Sequence, residues 1–238
     1  MRLAQFQELN SHLSGVSRFS AIDGRTIDLP QLVRSGLVRE DILTAYSPGS
    51  VGAAMSHIAL WEMAISKGTA LTICEDDAVF NFSFDALAPR LIDGLQPSWD
   101  FILWGWNFDA SLCFEFLPGV SSSLARFEQN RLRANCEAFR RLSLDSRTFR
   151  LMSFFGLTCY SISAKGAAAL KAACVPLQAL VPCLSVFESD PPVCVYADSV
   201  GIDTAVNSVV SKLNSYVCFP PLVVTKNDWE NSTIQQGA

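Results

Sequence analysis

The chain has 238 residues, half of them hydrophobic and only 17% charged, with a formal net charge of −5; this supplies a sizeable core for one domain over 1–238 and argues against general nucleic-acid binding. No run of eighteen or more apolar residues could span a membrane, and the N-terminal MRLAQFQELNSHL lacks the apolar centre of a secretory signal, which predicts a cytoplasmic location. Eight scattered cysteines without a C-x-x-C pair indicate neither a zinc site nor a disulfide framework, and with only His12 and His57 present any metal must be held mainly by oxygen ligands.

Leu3, Phe6, Leu9 and Leu13 recur at helical spacing and predict a helix over 3–14, closed by Gly15 and followed by a short strand at VSRFSAI. Asp23-Gly24 marks a turn, and short helical pieces follow around Gly36. Ser47-Pro48-Gly49-Ser50 then opens a stronger helix over 51–66, with Val51, Met55, Ile58, Trp61 and Ile65 on one stripe and Gly68 as its stop. The strand TALTIC runs next, straight into Glu75, Asp76 and Asp77. A helix over 84–95 and an apolar strand over 101–104 repeat this helix-then-strand rhythm, which predicts a mainly parallel sheet with crossover helices. Two strands, 149–155 and 157–162, precede an alanine-rich helix over 164–174 capped by Ser163. The proline-rich 175–201 reads as loop with short strands. Asp203 opens a last helix, and YVCFPPLVV reads as a strand broken by Pro220-Pro221.

Charge is uneven along the chain. Between residues 126 and 150, Arg126, Arg131, Arg133, Arg140, Arg141, Arg147 and Arg150 stand against Glu128, Glu137 and Asp145, a local +4 that leaves −9 for the remainder. Such a stretch is either a solvated helical face or an anion-binding surface.

The three acids after TALTIC carry the chemistry. Adjacent carboxylates beside a buried strand repel one another and cannot all be fully hydrated, so a cation or a set of donors is expected there. If strand geometry persists through the triplet, Glu75 and Asp77 share a face while Asp76 points away. The outer pair can then hold Mn²⁺ or Mg²⁺ together with a diphosphate. The competing reading is a set of ordinary turn acids at a strand exit. Asp100 and Asp109 lie at the ends of the next strand, and Asp109 either reaches an acceptor or faces solvent.

The run VGAAMSHIALWEMAISKGTALTICEDDAVF resembles the signature of glycosyltransferase family 25, which includes lipopolysaccharide galactosyltransferases and collagen galactosyltransferase domains. In that family a glycine turn opens a helix bearing Ser-His and an aromatic, followed by an apolar strand and Glu-Asp-Asp. Here these are Gly52, Ser56, His57, Trp61, Glu75, Asp76 and Asp77. RFSAIDGRTID, WDFILWGW, CYSISAKGAAAL, GIDTAVN, CFPPLVV and ENSTI are similar to further pieces of the family, in its order.

The resemblance implies an α/β fold of GT-A type, a Rossmann-like mixed and mainly parallel sheet flanked by helices. It also implies an inverting transferase that moves a hexose, galactose by analogy, from a UDP-sugar over Mn²⁺ or Mg²⁺. The acceptor would be a saccharide or glycolipid of lipopolysaccharide or a related surface glycan, with peripheral association at the inner face of the membrane. On this reading Glu75, Asp76, Asp77, Arg2 and His57 serve the donor, Glu75 and Asp77 hold the metal, and Asp203 and Asp77 are catalytic. Asp203 matches the family's Asp at the start of a late helix, where it is a base, an N-cap or both. His57 stands behind the acids rather than in the chemistry, and Trp61 belongs to the core. Family members begin with an apolar strand, an Asn-Leu turn and an arginine; Arg2 resembles that arginine and the strand before it is missing. A non-catalytic nucleotide-sugar or glycan-binding interaction module is therefore the alternative. No phosphate-cradling Gly-rich loop accompanies the acids, so a phosphotransferase lacks support.

Overall fold

The computed structural model describes residues 2–95, 98–185 and 193–227. The first helices are α1 (Arg2–Leu9), α2 (Leu29–Arg34), α3 (Ile42–Ala45) and α4 (Pro48–Lys67). Then come β1 (Leu71–Cys74), β2 (Ala78–Phe80), α5 (Phe84–Asp93), β3 (Phe101–Gly105), β4 (Leu112–Leu117) and β5 (Ser121–Ala125). The second half runs α6 (Gln129–Ala134), α7 (Cys136–Arg140), β6 (Arg147–Ser153), β7 (Cys159–Ile162), α8 (Ala164–Cys174), β8 (Leu180–Ser185) and β9 (Val193–Asp198). It closes with α9 (Ile202–Val210), β10 (Ser215–Phe219) and β11 (Val223–Thr225).

Local chemistry sets α4, the longest helix. Ser47 accepts from the Ser50 amide, Pro48 occupies the first turn, and Gly68 closes the helix in the left-handed conformation at φ 62°. The Asp23-Gly24 turn docks backbone to backbone on its start: a Cβ on Gly52 would lie 2.5 Å from the Ile22 carbonyl, and one on Gly24 would meet the Pro48 carbonyl. Ser56 Oγ takes the Ile22 amide at 2.9 Å. The expected strand at VSRFSAI does not form. Val16, Phe19 and Ile22 are three apart rather than alternating, so the segment has no apolar face to bury and lies mostly exposed.

A seven-stranded sheet in the order β1, β7, β3, β10, β6, β4, β5 is the centre of the molecule. The expected α/β architecture, a mixed sheet flanked by helices, is present and is consistent with a Rossmann-like glycosyltransferase fold. The mainly parallel pairing is not: β3 and β10 pair in parallel, and the other neighbours in this sheet are antiparallel. The reason is an insertion. β1 and β3 run in the same direction, as their connection through α5 requires, but β7 lies between them and pairs antiparallel with both. β4, β5 and β6 then extend the sheet as a meander that helix-and-strand counting does not reveal.

Alternation on β3 divides the core. Phe101 and Leu103 join the cluster built with α4, α8 and α9, whereas Ile102 and Trp104 face Phe6 of α1, Ala88 of α5 and the buried strand β2. β2 pairs with β11, placing Val79 opposite Val224, and Gly105 lets Val223 approach β3 closely. The cysteines behave as small apolar residues; Cys74, Cys113, Cys136, Cys159, Cys174, Cys183 and Cys218 are free thiols. Among the described residues no helix is long and apolar enough to cross a membrane.

The tie between α4 and the sheet is polar and buried. Trp61 Nε1 donates to the Tyr160 hydroxyl at 2.9 Å, and that hydroxyl meets His57 Nδ1 at 2.8 Å. Indole can only donate, so Tyr160 has its own hydrogen available for Nδ1 of a neutral histidine. Burial holds the His57 pKa down at about 4, from 6.5. The folded state thus resists a proton that the unfolded chain accepts below pH 6.5. The stability contributed by neutral His57 is complete above pH 6.5 and is lost as pH falls towards 4, at about 1.4 kcal/mol per pH unit. Urea unfolding at several pH values should show this slope in the wild type and a shallower one in His57→Asn. Parallel profiles would contradict the assignment.

Candidate functional site

The acid triplet begins where the ladder of β1 ends. Cys74 pairs with Cys159, and the Glu75 amide makes one more bond, 2.9 Å to the Thr158 carbonyl. The chain then turns, with the Ala78 amide donating to the Glu75 carbonyl at 3.3 Å and Asp76 and Asp77 at the corner. Strand geometry therefore stops at Glu75, and the two-residue alternation expected across the triplet does not apply. The turn reaches a similar division by another route: Glu75 and Asp77 are half-buried and Asp76 is exposed. Burial, together with the charges of Glu75, Asp77 and Asp76, pushes the neighbouring Cys74 thiol up to about 12.

Asp77 is held from the far end of the chain. Its Oδ2 accepts from Thr225 Oγ1 at 3.0 Å, and Thr225 sits on β11 opposite Ala78. The same Thr225 oxygen accepts the Asn227 amide at 2.9 Å, while Asn227 Nδ2 donates to Asp109 Oδ2 at 2.8 Å. Asn227 adopts a left-handed conformation at φ 45°, which asparagine tolerates better than most residues. Arg133 of α6 donates to the carbonyls of Lys226 and Asn227, both at 2.8 Å. Residues 225–227 thus form a strap joining the acid turn to the loop after β3.

Beyond the strap lies a cleft of about 390 Å³, lined by Phe108, Asp109, Ala110, Ser111, Arg126, Phe127 and Phe155. Its Phe155 wall is fixed by α9. Asn207 Oδ1 accepts the Phe154 amide and Asp203 Oδ2 the Gly156 amide, each at 3.0 Å, while the Asn107 amide donates to the Phe155 carbonyl. Gly156 is required here: its φ is +83°, and a Cβ would strike the Asn107 side chain at 2.3 Å. Asp203 and Asn207, one helical turn apart, therefore hold the loop that forms one side of the cleft.

Asp203 is not the N-cap of its helix; Gly201 is, and Asp203 is the second residue of α9. The residue is half-buried but its carboxyl is enclosed, and that burial raises its pKa against the lowering effect of the Gly156 amide. His57 belongs to the buried tie with Tyr160. Burial also pushes the Tyr160 hydroxyl up, and the charge of Glu75 adds to the shift, so the tie lies within electrostatic reach of the acid turn. Trp61 is fully buried.

Asp100 is structural, accepting the Asn214 amide at 3.0 Å and pairing with Lys165 at 3.4 Å. Asp109 is exposed at the mouth of the cleft. The Arg2 side chain and the ENSTI segment lie outside the described residues. Among the described residues no group of three or more His, Cys, Asp or Glu is placed to hold a metal ion. Sequence reasoning missed Thr225, Asn227, Asn207 and Phe155; Asn207 closes the family-like piece GIDTAVN, while the other three stand in no motif, and the Pro220-Pro221 break before Thr225 was the nearest signal for the strap.

Comparison with known proteins bears on what this arrangement belongs to. Residues 2–183 match the family model described as "Glycosyltransferase family 25 (LPS biosynthesis protein)". The chain is 32% identical over 116 residues to the rat protein "Probable inactive glycosyltransferase 25 family member 3", covering 42% of this chain. It is 29% identical over 120 residues to the human "Inactive glycosyltransferase 25 family member 3". The matched region spans about a fifth of the length of these relatives, 20% in each case. With the family model covering three quarters of its length, the chain belongs to glycosyltransferase family 25.

Proposed function

We propose that this domain is an inverting transferase that moves a hexose, galactose by family analogy, from a UDP-sugar to a saccharide or glycolipid acceptor at the cytoplasmic face of the membrane. The observation carrying this reading is the strap. It ties a carboxylate turn suited to a donor diphosphate, through Thr225 and Asn227, to a polar and aromatic cleft suited to an acceptor.

The donor set at the turn fits Mn²⁺ or Mg²⁺. Glu75 and Asp77 would supply hard oxygen ligands, and since among the described residues no group of three or more His, Cys, Asp or Glu is placed to hold a metal ion, diphosphate and water would complete the set, as is usual for Mg²⁺ at phosphate sites. When bound, such an ion supplies neutralisation of the charge on the departing diphosphate. Thr225 orients Asp77, and the buried His57 and Tyr160 tie fixes the helix beside the strand end. Asp203 takes the proton of the attacking acceptor hydroxyl; a carboxylate whose pKa is raised by burial is a better base than a solvated one.

A second reading, a binding module without turnover, is favoured by the names of the similar rat and human proteins, both called inactive. Calorimetry separates donor binding from its absence. UDP-galactose should bind only with Mn²⁺ present, and Asp77→Asn should weaken it more than Asp76→Asn, because Asp77 is enclosed and held while Asp76 faces solvent. Equal effects, or tight binding without a divalent ion, would contradict this use of the turn.

Asp203→Asn tests the base. Turnover should fall by about two to four orders of magnitude with donor binding unchanged. Asparagine can still accept the Gly156 amide, so the fold is retained. The sign for stability follows from the raised pKa: protonated Asp203 stabilises the folded state, and that contribution is lost as pH rises through its folded pKa. At pH 7 the Asn variant should therefore melt as high as the wild type or higher, with the difference shrinking in acid. Normal turnover in this variant would remove Asp203 from the chemistry, and donor binding without any turnover in the wild type would favour the module.

A further inference from the structure

Summed along the sequence, the arginines between 126 and 150 suggest one broad basic face. The structure disperses them. Arg131 pairs with Glu128 at 3.7 Å and Arg147 with Asp145 at 3.4 Å. Arg133 is spent on the strap carbonyls and Arg150 on those of Ser211 and Ser215. Arg140 pairs with Glu137 at 2.8 Å and lies 4.8 Å over the Phe82 ring. Arg126 differs. Among the described residues neither Arg126 nor Arg141 has a carboxylate within 4.0 Å, but Arg126 alone of the two lines the cleft, with its side chain exposed. The acid in the same cleft, Asp109, gives its Oδ2 to Asn227.

The aromatic walls around this cation are braced. Phe108 stacks on Trp106 at 4.8 Å and meets Phe127 edge-on at 5.0 Å, while Phe127 and Phe155 keep part of their surface open. Aromatic faces accept the C–H face of a pyranose, and a guanidinium fork matches carboxylate or phosphate oxygens bidentately. The cleft thus sets an exposed cation with no carboxylate partner among the described residues beside saccharide-sized aromatic walls, in a protein of net charge −5.

We infer that this cleft is an anion-reading acceptor subsite, in which Arg126 binds the carboxylate or phosphate of an acidic saccharide whose ring lies against Phe127 and Phe155. The acceptor role rests on the transferase reading above; the anion preference rests on the cleft alone.

The test compares three probes by NMR titration at low and high salt: a methyl hexoside, the corresponding methyl hexuronide, and the hexose 6-phosphate. Wild type should bind at least one acidic probe about tenfold more tightly than the neutral one, with the advantage shrinking at high salt. The stronger of the two identifies the anion as carboxylate or phosphate. Arg126→Ser should abolish the preference, and Arg126→Lys should retain only part of it, because a point charge replaces the fork. Arg126 is exposed, so both variants should keep the wild-type melting temperature. UDP-galactose binding, measured on the same samples, should be unaffected.

A wild type that does not discriminate, or a preference that survives Arg126→Ser, overturns the inference. So does loss of UDP-galactose binding in Arg126→Ser without discrimination among the saccharides, which would give Arg126 to the donor. An Arg126-dependent preference in a protein that binds no UDP-galactose supports the subsite while removing the transferase reading.

Discussion

Three consecutive carboxylates separate two strands that are both packed into the molecule, and this is the constraint from which the rest of the site follows. β1 ends its ladder at Glu75, and β2, fully buried, begins at Ala78. The chain has to reverse in the interval while keeping mutually repelling charges apart. It does so by a turn that exposes Asp76 and directs Asp77 to Thr225. Because Thr225 stands opposite Ala78, the requirement of the acids also fixes β11 against β2, and the strap that continues from β11 reaches Asp109. A charge problem at one strand end is thereby converted into a connection between two potential binding surfaces.

Around this connection the ties are polar, buried and long-range. His57 and Trp61 reach β7 through one hydroxyl, and Asp203 and Asn207 reach the loop before β7 through two backbone amides. Such groups are positioned by interactions that cost heavily when left unmade. The same arrangement explains how a member of this family could keep its architecture while differing in activity. Asp203 holds the Gly156 amide whether or not it ever receives a proton, so its presence alone does not distinguish an enzyme from a binding module.

Much of the frame was legible from local chemistry. Ser47 with Pro48, Ser163, and Gly68 marked helix ends that the structure keeps, because caps depend on residues within one turn of each other. The direction of β1 and β3 was legible too, but not the arrival of β7 between them, since strand insertion is decided by packing across the whole sheet. The β4 and β5 hairpin carried its own signal, Pro118-Gly119 with Gly119 at φ +70°, which summing the arginines farther along did not register. Most of the site was beyond reach. Thr225 meets Asp77 across 148 positions and Asn227 meets Asp109 across 118, and no periodicity encodes such pairs. The N-cap alternative for Asp203 missed by two residues because an aspartate near a helix start has the same composition signal at either position. The basic stretch failed differently: a charge sum does not say which arginines are neutralised locally by neighbouring acids.

The central claim is that the acid turn, the strap and the loop after β3 form one donor-responsive unit. Amide hydrogen exchange, followed residue by residue with and without UDP-galactose and Mn²⁺, tests it most directly. The account expects slowed exchange at residues 75–78 together with slowing at 225–227 and 107–109, because the hydrogen bonds of Thr225 and Asn227 link these segments. Unchanged exchange at 75–78, or protection there with none at the strap, would contradict it.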